Sequence, residues 1–344
     1  MSADEVYMQR CLDLAIKGAG LVAPNPMVGC VIVHNHKIIG EGYHQKYGGP
    51  HAEVNAINSV VNKDLLSNST LYVSLEPCSH FGKTPPCADL ILQKKIPAVV
   101  IAGLDPNPLV AGNGIARLKA AGVAVTQGIL QQQADYLNRK FITFHTKHRP
   151  FITLKWAQST DGFMALNEPK QFWFTNAESK KLMHKWRTEE QAILVGKNTV
   201  AVDDCELTAR LWPGNNPLRV VIDRNLDLPT DRKIFNGRAS TFIFNQVKSA
   251  TEGANQFIKL DFTQNLLSQI LDTLYKANIQ SLTVEGGAET LRHFIEEHLW
   301  DEARVFTSPH ILQAGKPAPQ LNAKLVDETE IESDTLRTYN PLIA

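Results

Sequence analysis

The sequence lacks an excess of charge of either sign. Its 344 residues include 35 basic and 35 acidic side chains, of which 12 and 10 lie in residues 1–146 and 23 and 25 lie after them. Neither half therefore resembles the basic surfaces that bind nucleic acids or anionic membranes. We expect no nucleic-acid partner.

The sequence also lacks the segments that would direct it to a membrane. No apolar run approaches the roughly 18 residues that a transmembrane helix needs. The acidic start, from Met1 to Glu5, has neither the basic nor the apolar region of a signal peptide. We expect a cytoplasmic protein with no membrane partner.

Cysteine is scarce, with five residues, and an odd number does not suit a complete disulfide framework. In the cytosol cysteines stay reduced, and clustered ones indicate metal binding or catalysis. Cys11 and Cys30 fall in a helical and a strand pattern, so we expect them in the core. Cys205 has no partner nearby in the sequence and receives no role. Cys78 and Cys87 remain as candidates for metal binding or catalysis.

What is present is an ordinary globular composition, 43% hydrophobic and 20% charged, with enough length for about two domains. Strand patterns alternate with helical patterns in both halves, which predicts α/β layers. Residues 130–148 form a polar helix or linker in this interpretation, so we place the domains at 1–146 and 147–344. The predicted strands are 28–33, 37–43, 70–75, 98–102 and 123–125, followed by 151–156, 192–195, 218–222, 240–244 and 281–284.

The strongest motif combines His51 and Glu53 with Cys78 and Cys87, each cysteine preceded by a proline. One histidine and two cysteines are good zinc ligands, and three protein ligands leave a fourth position for water, as in catalytic zinc sites. Bound zinc lowers the pKa of that water. A carboxylate two residues after the histidine can carry protons without binding the metal, and the zinc deaminases use this order of residues. Each part alone is ordinary, but together they predict a hydrolytic deaminase.

Two alternatives stay open at this point. A deaminase that edits tRNA would use the same motif, but it must also bind the phosphate backbone, which two neutral halves do not favour. A non-catalytic module with a structural zinc would use the same three ligands and would have no need for Glu53.

Longer stretches of the first half resemble a known family. They are APNPMVGC at 23–30, GPHAE at 49–53, EPCSH…TPPC at 76–87 and DPNP…GNG at 105–114. These motifs are similar to those of the bacterial bifunctional deaminase/reductase of riboflavin biosynthesis, and the resemblance covers nearly the whole chain. It implies a cytidine-deaminase-like three-layer sandwich, followed by a dihydrofolate-reductase-like domain.

The same resemblance implies a set of deaminase residues. His51, Cys78 and Cys87 would hold one Zn²⁺, and Glu53 would move protons. The implied substrate is a phosphorylated pyrimidine, a diaminopyrimidinone with a ribosylamino 5-phosphate, whose 2-amino group is hydrolysed to a carbonyl. We expect Asn25 to bind this substrate, although a turn between two prolines also explains it. We expect Lys83 to bind the phosphate, because a flexible ammonium group suits a phosphate monoester, although a solvated surface lysine also explains it.

The second half continues the resemblance, with LKWAQSTDG at 154–162, AILVG at 192–196, LTAR at 207–210 and VEGG at 284–287. It implies a reductase in which hydride from NADPH opens the ribosyl group to a ribityl chain. The expected NADPH contacts are Ala157, Trp173, Thr199, Asp203 and Gly287. The expected substrate contacts are Gln171, Arg187, Leu207, Arg210 and Glu285.

The chemistry of some of these residues also suits phosphate binding. Gly286 and Gly287, between a strand and a helix pattern, suit a phosphate at a helix N-terminus, although an ordinary strand–helix turn also explains them. Arg187 and Arg210 could bind phosphate oxygens or form surface salt bridges.

Two stretches depart from the family pattern, and both lie in the second half. Residues 166–173, which include Gln171, lack the Gly-Asp/Glu-Ser run that usually precedes the family's tryptophan, and Cys205 stands where the family usually has proline. The resemblance further leads us to expect a homo-oligomer.

Overall fold

The computed structural model describes residues 1–80, 85–107 and 111–342. Its contacts divide the chain into two compact units, Met1–His148 and Arg149–Ala344, which we call the N-terminal and C-terminal units. Among the described residues, no helix combines the length and the apolar character that crossing a lipid bilayer would require.

The N-terminal unit alternates strands with helices. Its strands are β1 (Gly29–His34), β2 (Lys37–Tyr43), β3 (Thr70–Leu75), β4 (Ala98–Gly103) and β5 (Ala124–Gln127). Its helices are α1 (Ala3–Ala15), α2 (Ala52–Ser59), α3 (Cys87–Gln93), α4 (Asn113–Ala120), α5 (Gln131–Leu137) and α6 (Arg139–Lys147). The sheet order is β2-β1-β3-β4-β5. β1 is antiparallel to both of its neighbours, whereas β3, β4 and β5 are parallel.

Helices cover both faces of this sheet. Along β1, Cys30 and Ile32 pack in the cluster that contains α2, α3 and α4, whereas Val31 and Val33 pack with α1. A strand buried on both faces is nearly continuous in apolar residues, which is the pattern that the sequence shows here. The predicted three-layer sandwich is therefore confirmed, as is the burial of Cys30 and of Cys11 on α1.

The C-terminal unit is larger and also alternates strands with helices. Its strands are β6 (Phe151–Ser159), β7 (Phe163–Ala165), β8 (Ala192–Gly196), β9 (Leu218–Ile222), β10 (Thr241–Asn245), β11 (Ala250–Glu252), β12 (Asn255–Lys259), β13 (Ser281–Val284), β14 (Glu302–Ser308), β15 (Lys316–Pro317), β16 (Ala323–Ile331) and β17 (Asp334–Pro341). Its helices are α7 (Ala177–Glu189), α8 (Lys197–Asp203), α9 (Leu266–Lys276) and α10 (Ala288–Glu296).

Ten of these strands form one sheet, in the order β11-β12-β10-β9-β8-β13-β6-β14-β17-β16. The seven strands from β12 to β14 are parallel, and antiparallel strands complete both edges. One face packs against α9 and α10, with Ile270 and Phe294 among the fully buried side chains. The other face packs against α8 through Val200 and against α7 through Met183. Catalytic residues of such sheets commonly lie at the carboxyl ends of the parallel strands.

Two parts of the fold differ from the sequence prediction. Residues 130–148, interpreted as a polar helix or linker, form α5 and α6 with Ala134, Phe141 and Phe144 buried, so they belong to the core of the N-terminal unit. The prediction also omitted several strands of the large sheet, namely β11, β12, β14, β16 and β17.

Candidate active sites

Three predicted zinc ligands converge in the N-terminal unit. His51 is the residue before α2, Cys78 follows β3, and Cys87 is the first residue of α3. The His51 Nδ1 atom lies 3.5 Å from Cys78 Sγ and 3.3 Å from Cys87 Sγ. Nitrogen and sulfur ligands at tetrahedral zinc distances would be about 3.6 Å apart. The three side chains therefore fit a tetrahedral zinc ion, with ligand atoms all within 4.8 Å of one another.

The ionisation of these groups suits the same ion. A hydrogen bond from the Cys87 thiol, with a further contribution from His51, lowers the pKa of Cys78 to about 4. The backbone N–H of Cys87 also lies 3.3 Å from Cys78 Sγ. A thiolate is the form of cysteine that binds zinc, so the site presents at least one preformed anionic ligand.

Glu53 lies in the first turn of α2, two residues after His51, and is 4% exposed. Burial, reinforced by the negative charge of Cys78, raises the pKa of Glu53 to about 7. A carboxyl group with such a pKa can accept and donate a proton near neutral pH, which is the property of a general acid–base catalyst.

A cavity of about 240 Å³ opens at this cluster, and Asn25 and His44 lie on its wall. The His44 Nδ1 atom is 3.0 Å from the Pro50 carbonyl oxygen, which can only accept, so Nδ1 carries the ring proton. The unprotonated Nε2 atom then accepts from the Asn25 amide nitrogen at 3.1 Å. This arrangement leaves the Asn25 amide oxygen as the acceptor for a ligand in the cavity.

The residues from Glu76 to Cys78, which we call the cysteine loop, are attached to the N-terminus of α4. The buried Glu76 carboxylate accepts hydrogen bonds from the backbone N–H groups of Gly112 (2.9 Å), Gly114 (3.0 Å) and Ile115 (3.3 Å). A negative charge is stabilised at a helix N-terminus. A Cβ atom at Gly114 would lie 2.0 Å from the Pro77 carbonyl oxygen, so only glycine allows this approach. Glu76 thereby fixes the chain immediately before Cys78.

In the C-terminal unit, Arg187 on α7 and Glu285 after β13 form a buried pair. The Arg187 Nη2 atom donates to Glu285 Oε2 at 2.9 Å, and the two side chains are 13% and 12% exposed. Burial alone would raise the pKa of Glu285, but Arg187 and Lys155 outweigh it and hold that pKa at about 2. Lys155 lies on β6, next to β13 in the sheet.

The segment that contains Leu207 and Arg210 lies beside this pair. Leu207 has a left-handed backbone (φ +55°), and its side chain is buried with Val200 and Val221, so only its backbone can face a ligand. Arg210 bonds Thr208 Oγ1 at 3.0 Å and Glu206 at 3.2 Å, which places it among residues of its own loop.

The predicted cofactor residues are brought together in part. A Cβ atom at Gly287, which caps α10, would lie 3.6 Å from Thr199 Oγ1 on α8, so these two residues are neighbours. The first N–H groups of α10 are a suitable cradle for a cofactor phosphate. Gln171 Nε2 lies 3.4 Å from the backbone oxygen of Asp203, at the end of α8.

Two further predicted cofactor residues have other neighbours in the structure. Trp173 is 58% exposed, with the Lys180 ammonium 4.3 Å from its ring centroid, and Ala157 packs against the cluster of Phe306 and Met183. Lys83 lies outside the described residues. The sequence assigned no role to five other polar residues at the two sites. Glu76, Asp105 and Lys155 lie within the family motifs without an implied role, and no motif marks His44 or His184.

Comparison with known proteins finds a matching family model for each half of the chain. Residues 1–103 match the family model of the cytidine and deoxycytidylate deaminase zinc-binding region, and residues 150–341 match that of the RibD C-terminal domain. The chain belongs to the RibD family. The riboflavin biosynthesis protein RibD of Aquifex aeolicus is 41% identical to it in an alignment that covers 95% of this chain and 92% of that protein.

Other RibD proteins support the same assignment. The Escherichia coli K12 protein is 35% identical in an alignment that covers 98% of this chain and 97% of that protein. A crystal structure from Thermotoga maritima has a TM-score of 0.91 and 36% identity, and the match covers 99% of both chains. That protein is described as a diaminohydroxyphosphoribosylaminopyrimidine deaminase/5-amino-6-(5-phosphoribosylamino)uracil reductase.

As a RibD protein, the chain is a bifunctional enzyme of riboflavin biosynthesis that acts on small-molecule pyrimidines. Its deaminase half is zinc-dependent and its reductase half is NADPH-dependent. The expected dihydrofolate-reductase-like fold of the second half is confirmed with the family.

Proposed function

We propose that the chain carries out two consecutive reactions on one phosphorylated pyrimidine. The N-terminal unit hydrolyses the 2-amino group of a 2,5-diamino-6-ribosylamino-4(3H)-pyrimidinone 5′-phosphate. The C-terminal unit then reduces the ribosyl group to ribityl, giving 5-amino-6-ribitylamino-uracil 5′-phosphate. The observation that carries the proposal is the cluster of His51, Cys78 and Cys87 beside the buried Glu53, at a cavity large enough for a pyrimidine ring.

In the deaminase, His51, Cys78 and Cys87 would hold zinc, which supplies an activated water near neutral pH. Glu53 takes the proton that water loses as it adds to the ring carbon, and donates a proton to the amino group that leaves as ammonia. Its pKa of about 7 suits both transfers. The oriented Asn25 amide accepts a hydrogen bond from the substrate.

The segment between Cys78 and Cys87 supplies the phosphate contact in this proposal. Lys83 lies between the two cysteines in the sequence and would bind the 5-phosphate of the substrate. Replacement of Lys83 by alanine should then raise KM for the phosphorylated substrate far more than KM for its dephosphorylated form. Equal effects on both substrates would reject this role.

In the reductase, NADPH supplies the hydride. The helix α10 N-terminus at Gly287, with Thr199 beside it, would bind a cofactor phosphate, and Ala157, Trp173 and Asp203 would complete the cofactor site. The observation that supports this cofactor site is that Thr199 and Gly287 are neighbours.

The substrate of the reductase would be bound beside the pair of Arg187 and Glu285. Arg187, held in place by Glu285, offers a fixed cation for the phosphorylated substrate. Gln171, Leu207 and Arg210 would line the remaining surface, Leu207 through its backbone.

Mass spectrometry of the products tests the two steps together. Zinc-loaded protein receives the diaminopyrimidinone ribosylamino phosphate with and without NADPH. We expect deamination alone without the cofactor, and deamination followed by reduction with it. Deamination without any reduction in the sample that contains NADPH would reject the reductase assignment, and an unchanged substrate in both samples, with zinc bound, would reject the deaminase assignment.

We further propose that the protein acts as a homo-oligomer in the cytoplasm and does not bind nucleic acid. Light scattering after size exclusion should give a mass that is a multiple of the 38.2 kDa chain. Titration with tRNA at moderate salt should give no complex, because the excess of basic over acidic residues in the N-terminal unit is small.

A further inference from the structure

His184 is a buried histidine of α7 that lies one helical turn before Arg187. It is 7% exposed, and its Nδ1 atom lies 2.9 Å from the backbone N–H of Arg210, which donates to it. A ring nitrogen accepts only when it carries no proton, so the single proton of the neutral ring is on Nε2. A doubly protonated ring could not make this hydrogen bond.

The segment held in this way is 207–210, between Leu207 and Arg210. Arg187 donates from Nη1 to the Thr208 carbonyl oxygen at 3.3 Å, so two residues on one face of α7 hold the segment at neighbouring points. Leu207, at the start, has the left-handed backbone that is unfavourable for a leucine. Such a conformation persists only when surrounding contacts maintain it.

The charges around His184 keep its ring neutral. Burial lowers the pKa of His184 to about 4, and the guanidinium groups of Arg187 on its own helix and of Arg210 on the opposite segment act in the same direction. The Glu285 carboxylate and the Thr208 backbone oppose them but are weaker. Around neutral pH the ring is therefore an acceptor.

We propose that His184 is a positioning residue of the reductase, whose neutral ring fixes the backbone of Arg210 so that the 207–210 segment is held in its substrate-binding shape. The inference rests on the proposed roles of Leu207 and Arg210 in substrate binding. His184 itself touches neither substrate nor cofactor in this proposal. Its loss should therefore weaken substrate binding and leave the hydride transfer and the binding of NADPH nearly unchanged.

Two substitutions separate positioning from mere packing. His184→Asn keeps an oxygen acceptor close to the place of Nδ1, and it cannot be protonated. His184→Phe keeps a ring of similar size but leaves the Arg210 N–H without an acceptor. The reductase reaction is followed in the full chain through the absorbance of NADPH, with the deaminated intermediate as substrate.

For His184→Phe we expect KM for the pyrimidine substrate to rise about 10-fold, the order of one buried hydrogen bond, with kcat and KM for NADPH within about 3-fold of wild type. His184→Asn should restore KM to within about 3-fold. An unchanged KM in His184→Phe, an equal defect in both variants, or a parallel rise of both KM values would overturn the proposal.

Acidification provides a readout that does not require the phenylalanine variant to fold. KM of the wild type should rise as the pH falls towards 4, and this rise should be absent in His184→Asn. Titration of the substrate phosphate affects both proteins equally, so the difference between them reports His184. Identical pH profiles would contradict the proposed role.

Arg210→Ala is measured beside these variants to keep the two hypotheses distinct. If Arg210→Ala leaves KM for the pyrimidine unchanged while His184→Phe raises it, the substrate contact assigned to Arg210 is wrong and His184 still positions the segment. If Arg210→Ala raises KM while His184→Phe does not, the substrate site stands and the role of His184 is rejected.

Discussion

At the scale of single residues, Glu53 offers the sharpest test of the deaminase. Glu53→Gln keeps the size of the side chain but cannot cycle a proton, so we expect deamination to fall by about 10²–10⁴-fold. Zinc content should be unchanged, because Glu53 is not among the three ligand residues. The measurements are ammonia release and metal analysis, with the reductase activity of the same variant as the control for folding.

The alternative of a structural zinc makes the opposite prediction. If Glu53→Gln deaminates at the wild-type rate, Glu53 has no part in proton transfer and the cluster around His51 is not the catalytic centre. A variant that loses zinc together with activity would instead show that Glu53 supports the metal site.

Glu285 gives a pH-dependent prediction for the reductase half. Its folded-state pKa of about 2 lies below the ordinary value of 4.5, so its pairing with Arg187 stabilises the fold above pH 4.5, and this stability is lost as the pH falls towards 2. The full contribution is about 3 kcal/mol. Glu285→Gln should lower the free energy of unfolding by this order at pH 7.

Urea unfolding of the C-terminal unit, followed between pH 7 and pH 3, measures this effect. The difference between wild type and Glu285→Gln should shrink below pH 4.5, because the unfolded wild-type chain then binds a proton that the folded one excludes. Glu289→Gln, at an exposed position on α10, is the matched control and should change stability by a few tenths of a kcal/mol. A difference that stays constant with pH would show that the Glu285 charge contributes nothing.

At the scale of elements, the approach of α4 to the cysteine loop predicts an intolerance of side chains at Gly114. Gly114→Ala would bring a Cβ atom to 2.0 Å from the Pro77 carbonyl oxygen, so the chain before Cys78 must move. We expect weaker zinc binding and slower deamination, with reductase activity retained. Gly103→Ala is the control, because the nearest atom to its Cβ would be in the Asp135 side chain at 3.1 Å, and no backbone atom is among its three nearest neighbours. Competition with a chromogenic chelator measures the zinc affinity, and equal affinities in both variants would contradict this account.

The elements differ in how far the sequence predicts them. β3 and β13 are buried along their length and their apolar runs appear directly in the sequence. The edge strand β16 could not be found in this way, because Ala323–Ile331 is almost entirely exposed and its structure depends on pairing with β17. The zinc residues were predictable because a motif marks them. His184 and Lys155 were not, because their partners Arg210 and Glu285 are distant in the chain and come close only after folding.

At the scale of the whole molecule, removal of zinc should separate the two activities. Each unit has hydrophobic clusters of its own, and the three ligand residues all belong to the N-terminal unit. Treatment with a strong chelator should therefore abolish deamination and leave reduction of the deaminated intermediate by NADPH close to its original rate. Added zinc should restore deamination, which distinguishes metal loss from denaturation.

The thermal unfolding of the chelated protein tests whether the two units are also separate in stability. Without zinc, the anionic Cys78 and the buried Glu53 lose the cation that binding would place beside them, so the N-terminal unit should unfold at a lower temperature. The C-terminal unit should unfold as before, since its buried Arg187–Glu285 pair and its core contain no zinc ligand. Calorimetry with and without zinc would then show one transition that moves and one that does not. A reductase that loses its activity in step with the metal would show instead that zinc stabilises both units, and the two activities could not be treated as separable.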